Sequence, residues 1–506
     1  IWLGGSGEVG HGRSVGSRRP SAAQHPAVSR TFKTGAATGA RLTSMTTSVL
    51  TTGAPRHPPG PPCPWWGLPL LRRMARDYLG FATTLQRQYG DVTFMQLGPE
   101  QAWDVFAPDL VRAALVDQAE HLIRWERGIE VFAQAFGSSV LVTEGATWQR
   151  QRRMLMPGFT PRRVQGYGAL MAEAARQALD EAVPAGQGEA VVDIGALSTR
   201  LTMDVILRTL FRQAAADDAR DAARATQILS RSAMREMFWP RTLPDWLPLP
   251  GKRAKRWALR SLHALVAGQI ERRRALPPDR TPQDDLLAML LALRDDETGQ
   301  GLSAQELHDQ CMVMFQAGHE TSATALLWWA ALMAAHPQAQ AQARSEVDRV
   351  LAGRTPLAAD LTALDLLGAG LKEAMRLYPP IGALMSRRVV RPLTLGEWTV
   401  PAGAVLRITP WVIQRDARWF AQPEAFRPER FAAGTEPPPR GAWMPFGTGP
   451  RVCIGQHFAM LEMTLVAAML LQRYELQTLP GEPVPEADFN VTVRPRTPLR
   501  LRLLRR

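Results

Sequence analysis

Cysteine is scarce in this chain: three residues in 506, at positions 63, 311 and 453. That excludes a scaffold built from disulfides and fits a reducing compartment. Lysine is nearly absent. Of the 60 Lys and Arg only four are lysine, namely Lys33, Lys252, Lys255 and Lys372. With many Ala and Gly, that bias suggests a GC-rich genome before it suggests a nucleic-acid surface. The net charge of +13 is not gathered into a long basic run with interleaved aromatics, so no nucleic acid is expected. A secretory apolar core and internal repeats are also missing. The mean hydropathy of −0.16 does not favour an integral membrane protein. What is present is ordinary: 45 % apolar and 21 % charged residues. That balance excludes a disordered chain, a collagen and a coiled-coil rod.

Residues 1–44 are rich in Gly, Ser, Thr, Ala and Arg and show no apolar period. They read as disordered or as translated upstream sequence, with Met45 a plausible start; a transit peptide is the rival. Residues 45–70 form a Pro-rich lead-in, extended over 54–69 and expected to be pinned by Trp65 and Trp66. The spacing predicts a short strand pair over Val92–Leu97 and Ala102–Phe106. Helical spacing with few strand signals then runs to about residue 380. Alternation over 384–410 predicts small strands and a hairpin. A last helix is expected over Gly455–Tyr474, and Val491–Leu504 alternates again. Cys311–Ala335 is long and mostly apolar, but Gln316, His319 and Glu320 lie in it. A carboxylate at that depth is costly in lipid, so the stretch reads as the buried helix of a large core rather than a membrane span.

The most specific segment is Phe446–Gly455, FGTGPRVCIG. Cys453 follows a Gly-rich loop and opens an apolar helix. Backbone N–H groups at such a helix start favour a thiolate and lower its pKa. Gly447, Gly449 and Gly455 let backbone approach a flat object, and Arg451 can meet an anion beside it. A thiolate so placed suits the axial position of haem iron. A buried structural cysteine and a nucleophile with His457 as base are the alternatives. G-x-G-x-x-G fails at Val452, and zinc would need closer cysteines.

This segment matches F-x-x-G-x-R-x-C-x-G, and the chain resembles the cytochrome P450 family. Glu373–Arg376 resembles its E-x-x-R, and Phe426–Phe431 its F-x-P-E-R-F. Ala317–Thr321 resembles A-G-x-[DE]-T, and Trp148–Arg152 resembles W-x-x-x-R. The resemblance covers about residues 54–506 and is similar to bacterial members of eukaryote-like form. It implies a mainly α fold with small β-sheets, a helix-rich triangular domain over 71–506. Haem b would lie between the long central helix and the cysteine loop.

The same resemblance assigns the residues. Cys453 is the metal ligand. Trp148, Arg152, Arg387 and Arg451 meet the haem propionates, with Arg388 the alternative to Arg387. Phe446, Gly447 and Gly455 shape the cofactor loop. Ala317, Gly318, Glu320 and Thr321 serve O2 as co-substrate: Gly318 thins the helix, Thr321 opens its ladder, and the acid–alcohol pair delivers protons. Glu373, Arg376 and Arg430 form a buried network under the loop. Gln414 stands where the family often has His, a departure that touches a minor support contact and not the chemistry. His319-Glu320 begins H-E-x-x-H, but Ala323 breaks it.

Candidate pocket walls are Ile123, Ile129, Phe132, Met237, Phe238, Met314, Leu384, Met385 and Val491. They suit a hydrophobic small-molecule substrate such as a fatty acid, alkane, terpene or steroid. Met234–Leu249 reads as a mobile lid or a lipid-leaning segment. Since no fused reductase is expected, electrons come from a ferredoxin or flavodoxin with an NAD(P)H-dependent reductase. Arg150, Arg153, Arg440 and Arg451 are expected to make a basic docking face. The resulting expectation is a monomeric cytoplasmic haem-thiolate monooxygenase without a membrane span. A peroxide-driven peroxygenase and a haem sensor are the alternatives.

Overall fold

The computed structural model describes residues 57–506 apart from 185, 213–217, 240 and 281. The expectations for 1–44 and for the lead-in before residue 57 lie outside the described residues.

One helix, Ala304–Ala335, organises the fold. Its start is a capping box: the Ser303 hydroxyl accepts from the Glu306 N–H, and Glu306 accepts from the Ser303 N–H. Pro337 ends it and opens the next helix, Pro337–Leu351. Nearly every side chain from Leu307 to Ala334 is buried, as expected of a helix that is apolar all round. Among the described residues no helix is long and apolar enough to cross a membrane.

Among the helices that pack on this one are Ile194–Phe211, Asp365–Leu377 and Gln456–Arg473. The approach of the first is close. A Cβ on Gly318 would lie 2.9 Å from the Ile206 side chain, and the Thr202 hydroxyl donates to the His319 carbonyl at 2.9 Å. Gly318 therefore serves helix packing here. His319 donates from Nδ1 to the Phe315 carbonyl, 2.7 Å away. Burial pulls its pKa down to about 4, so it is a neutral core histidine.

A five-stranded sheet flanks the helices. Its order is Val92–Leu97, Glu100–Val105, Val405–Ile408, Arg387–Val389, Leu122–Arg124. A three-stranded sheet joins Glu189–Asp193, Arg500–Arg505 and Tyr474–Thr478. The expected strand pair is present, with the second strand shifted to Glu100–Val105. The expected hairpin is Leu393–Leu395 with Trp398–Val400. The last helix, Gln456–Arg473, is shorter than expected by one residue at each end. Strands Leu122–Arg124, Glu189–Asp193 and Tyr474–Thr478 escape the sequence pattern. At three to five residues they carry too little alternation to register.

The lead-in is held differently from expectation. Trp65 and Trp66 are 80 % and 75 % exposed, so their rings pin nothing, although the Trp66 carbonyl accepts from the Gly98 N–H at 2.7 Å. Both have positive φ within a short 3-10 turn, Pro64–Gly67, so 54–69 is not extended throughout. The holding contacts are His57 stacked on Phe94 at 4.1 Å, the Gln96 N–H donating to the Cys63 sulfur at 3.3 Å, and the Phe94 N–H donating to the Pro59 carbonyl at 3.2 Å.

Candidate active site

The cysteine loop needs glycine where it turns. Gly449 has φ +73, and a Cβ there would lie 1.9 Å from the Leu115 carbonyl oxygen; no other residue fits. The Cys453 N–H donates to the Phe446 carbonyl at 2.9 Å, closing the loop so that the sulfur opens onto a cavity. Burial pushes the thiol pKa up, while the Gly455 backbone N–H and the Arg152 charge oppose it. The expected lowering by the helix start is thus outweighed in the bare chain. A metal ion on the sulfur reverses the balance outright.

Behind the loop, Glu373 and Arg376 are fully buried. The Arg376 guanidinium donates to both Glu373 oxygens at 2.7 and 2.8 Å. It also donates to the carbonyls of Gln414, Pro423 and Ala425. Arg430 and the Arg427 N–H reach the same carboxylate at 3.2 and 2.9 Å. Gln414 turns out to be central. Its amide donates to the Met375 and Arg376 carbonyls, and its oxygen accepts from the Met444 N–H at 2.8 Å. The buried network is thereby tied to the loop that carries Cys453.

The cavity holds about 1160 Å³. Cys453, Phe446, Gly447 and Gly455 line it, as do Ala317, Gly318, Glu320 and Thr321 of the central helix. Ala317 is exposed to this space and Thr321 half-exposed. The Thr321 hydroxyl donates to the Ala317 carbonyl at 2.9 Å, yet the helix stays α-helical throughout. The expected opening of its ladder is not seen. Glu320 turns away from Thr321. Its carboxylate accepts from the Ser230 and Thr492 hydroxyls, each at 3.0 Å, and Arg494 lies 3.5 Å away.

At another part of the wall, positive charge collects. Arg124 and Arg387 are direct cross-strand partners, a pairing that like charges disfavour. Arg152 donates to the Val452 carbonyl at 3.0 Å. Arg451 stacks on the Trp148 ring, 3.7 Å from its centroid. One carboxylate answers them: Glu144 accepts from Arg451 at 2.5 Å and lies 3.9 Å from Arg124. Burial and mutual repulsion pull Arg124 and Arg451 down to about 9 and Arg387 to about 10. The Arg124 Nε has no hydrogen-bond partner. Four guanidiniums around one carboxylate call for a ligand with more than one negative charge. Arg388 points the other way, onto Glu100 and Glu126, because neighbours on a strand face opposite sides.

The family model for Cytochrome P450 matches residues 58–503. This chain belongs to the cytochrome P450 family. "Cyclooctatin synthase" of Streptomyces melanosporofaciens is 33 % identical over 85 % of this chain and 93 % of its own length. "Cyclooctat-9-en-7-ol 5-monooxygenase" of the same organism is 33 % identical over 78 % and 84 %. "Pentalenene oxygenase" of Streptomyces avermitilis is 30 % identical over 86 % and 94 %. Relatives come from plants as well, so similarity does not place the source as bacterial. The P450 is a haem-thiolate monooxygenase. It inserts one atom of O2 into a bond of a hydrophobic small molecule. The residues present fit haem: an open cysteine sulfur, and a guanidinium cluster that lacks counter-charge for a group with two carboxylates.

Sequence reasoning missed Arg124 and Glu144, which no motif marks. Of the expected substrate walls, Phe132, Met237, Phe238, Met314, Leu384, Met385 and Val491 line the cavity. Ile123 does not, because it alternates with Arg124 and sits opposite Arg388; Ile129 is likewise off the wall. In the stretch expected to be a mobile lid or a lipid-leaning segment, Glu236, Thr242, Leu243 and Asp245 have fixed partners. Lys252 donates to Glu236, Asp245 and the Leu243 carbonyl at 2.7–2.8 Å, and Arg127 donates to Thr242 at 2.7 Å. The basic docking face is also weaker than expected. Arg150 pairs with Glu306, Arg153 with Asp295 and Glu297, and Arg451 with Glu144; Arg440 is exposed.

Proposed function

We propose that this P450 holds haem b through the Cys453 thiolate and oxidises a cyclic terpenoid. The observation that carries the reading is one apolar cavity that joins Cys453, the Ala317–Thr321 turn and the Phe132, Met237 and Val491 walls. Relatives whose names specify cyclooctat-9-en-7-ol and pentalenene support the substrate class.

Bound haem supplies the O2-activating redox chemistry. The chain's residues do the rest. Arg124, Arg152, Arg387 and Arg451 would hold the propionates, with Trp148 bracing Arg451. The apolar walls exclude water and so strengthen polar interactions at the reacting end. Thr321 holds a proton at its hydroxyl, 2.9 Å from the Ala317 carbonyl. Glu320 passes protons inward once it swings off Ser230 and Thr492, with the Arg494 guanidinium 3.5 Å away. Electrons come from a separate ferredoxin or flavodoxin with an NAD(P)H-dependent reductase. A monomer in the cytoplasm completes the reading.

The test is turnover under 18O2 with NAD(P)H, ferredoxin and reductase, on substrates chosen by the spin-state shift of the haem band. One 18O per product is expected. Product from peroxide alone would instead support the peroxygenase, and none with either oxidant the sensor. A pyridine haemochrome spectrum identifies the haem type. Thr321→Ala should divert electrons to hydrogen peroxide, lowering product per NAD(P)H by about tenfold or more. Wild-type coupling in that variant would remove Thr321 from proton delivery.

A further inference from the structure

Among the described residues the exposed tryptophans are Trp65, Trp66, Trp239 and Trp246, and they fall in two short segments. Leu68 joins the first pair, and Leu243 and Leu249 join the second, all of them exposed. The two segments meet at the cavity. Leu68 and Trp239 both line it, and Phe238 packs against the apolar cluster that holds Leu70 and Met74. Leu68 and Trp239 are 58 % and 61 % exposed, which puts them on its rim.

Large apolar side chains gathered outside a core mark an interaction surface. The backbone that carries these is held. The Trp66 carbonyl accepts from the Gly98 N–H, Arg127 donates to the Thr242 hydroxyl, and Lys252 donates to the Leu243 carbonyl, each at 2.7 Å. Rings on a fixed backbone lose little freedom when they bind.

Positive charge flanks the rings. Arg72, Arg73 and Arg76 are exposed on the helix Leu68–Arg76. In the second segment the acids Glu236 and Asp245 are taken by Lys252 and Lys255. Arg241, Arg253 and Arg256 stay exposed. None of these six arginines has a carboxylate partner among the described residues. Indole beside guanidinium suits the boundary between water and lipid. The ring body enters the apolar side while its N–H stays wet, and the guanidiniums meet phosphate and anionic headgroups. A folded protein seated on the rim would plug the way into the cavity. A fluid bilayer leaves it open, and a hydrophobic small molecule dissolves there.

We infer that this face docks on an anionic lipid bilayer, so that the substrate passes from lipid into the cavity without crossing water. The contact is interfacial: apolar side chains enter the headgroup boundary and charge adds to their hold. It serves any hydrophobic substrate and does not rest on the terpenoid reading.

The experiment is co-sedimentation of the full-length holoprotein with vesicles of phosphatidylcholine, alone or mixed equally with phosphatidylglycerol. Wild type should bind the mixed vesicles about tenfold or more tightly than the neutral ones, and lose that preference in high salt. Trp65→Asn with Trp66→Asn, asparagine tolerating the positive φ there, should weaken binding about tenfold. Trp239→Ser with Trp246→Ser should do the same. Replacing Arg72, Arg73 and Arg76 by Gln should weaken binding to the mixed vesicles alone. All these side chains are exposed, so melting temperatures should match wild type, which separates lost docking from lost fold. Residues 1–56 are the same in every variant, so their charge cannot produce the differences. Independently of any variant, lipid brominated in its acyl chains should quench part of the wild-type tryptophan emission. No vesicle binding by wild type, as a protein partner for this face would give, overturns the inference. Absence of quenching, or binding that both tryptophan variants retain in full, does so too. None of these readouts involves turnover, so each leaves the terpenoid reading standing.

Discussion

Arg376→Met should destabilise the holoprotein by about 3–5 kcal/mol, read as a shift of the urea midpoint. The cause is not the loss of one attraction. Glu373 has no exposed surface, so its carboxylate cannot recover water when the guanidinium leaves. Arg430 remains at 3.2 Å, but three backbone carbonyls, of Gln414, Pro423 and Ala425, lose their donor as well. Those carbonyls belong to the segment that positions Met444 and, through it, the Cys453 loop. The same variant should therefore purify with less haem per chain. A double-mutant cycle separates pair from packing. Glu373→Leu together with Arg376→Met should be more stable than the sum of the single losses by at least about 1 kcal/mol, because neither member of the fully buried pair is left without the other. Additive losses would mean that the pair acts only through shape.

What could be read from the sequence follows from how locally each group is specified. Cys453, Gly449 and Arg451 sit within one loop, and Glu373 with Arg376 or Trp148 with Arg152 sit one helical turn apart. Contiguous spacing of that kind survives in a string of letters. The five-stranded sheet contributes Arg124 opposite Arg387 from segments more than 250 residues apart, and no periodicity links them. The clamp on Glu320 is similar: Ser230 and Thr492 arrive from a different helix and from the hairpin Ala487–Asn490 with Thr492–Pro495. Sequence placed the acid beside the alcohol, and the fold turned the acid away. Trp65 and Trp66 failed in the opposite sense. Their size suggested anchors, but positive φ in the turn aims both rings outward. Gln414 gained importance because a side-chain amide can accept and donate at once, which lets it bridge helix carbonyls and a loop N–H.

Glu462→Gln should stabilise the protein, and more so as pH rises. Glu462 lies fully buried on the helix that follows Cys453, and neither carboxylate oxygen has a hydrogen-bond partner. Burial pushes its pKa up to about 8, with Ser322 the one group that opposes the shift. In the unfolded chain the carboxyl titrates near the ordinary glutamate value of 4.5. Between those two pH values the folded state binds more protons than the unfolded state, so stability falls as pH rises, by about 1.4 kcal/mol per unit. The folded form has its full stability from this group below the lower value. Above the upper value the loss is complete and the curve is flat again. Glutamine keeps the shape of the neutral acid and cannot ionise. The melting temperatures of variant and wild type should nearly coincide at about pH 5 and separate steadily up to about pH 8, with the variant higher. A constant gap across that range, or a variant that melts lower at the alkaline end, would show that the Glu462 carboxylate has a partner in the folded protein and enters it charged.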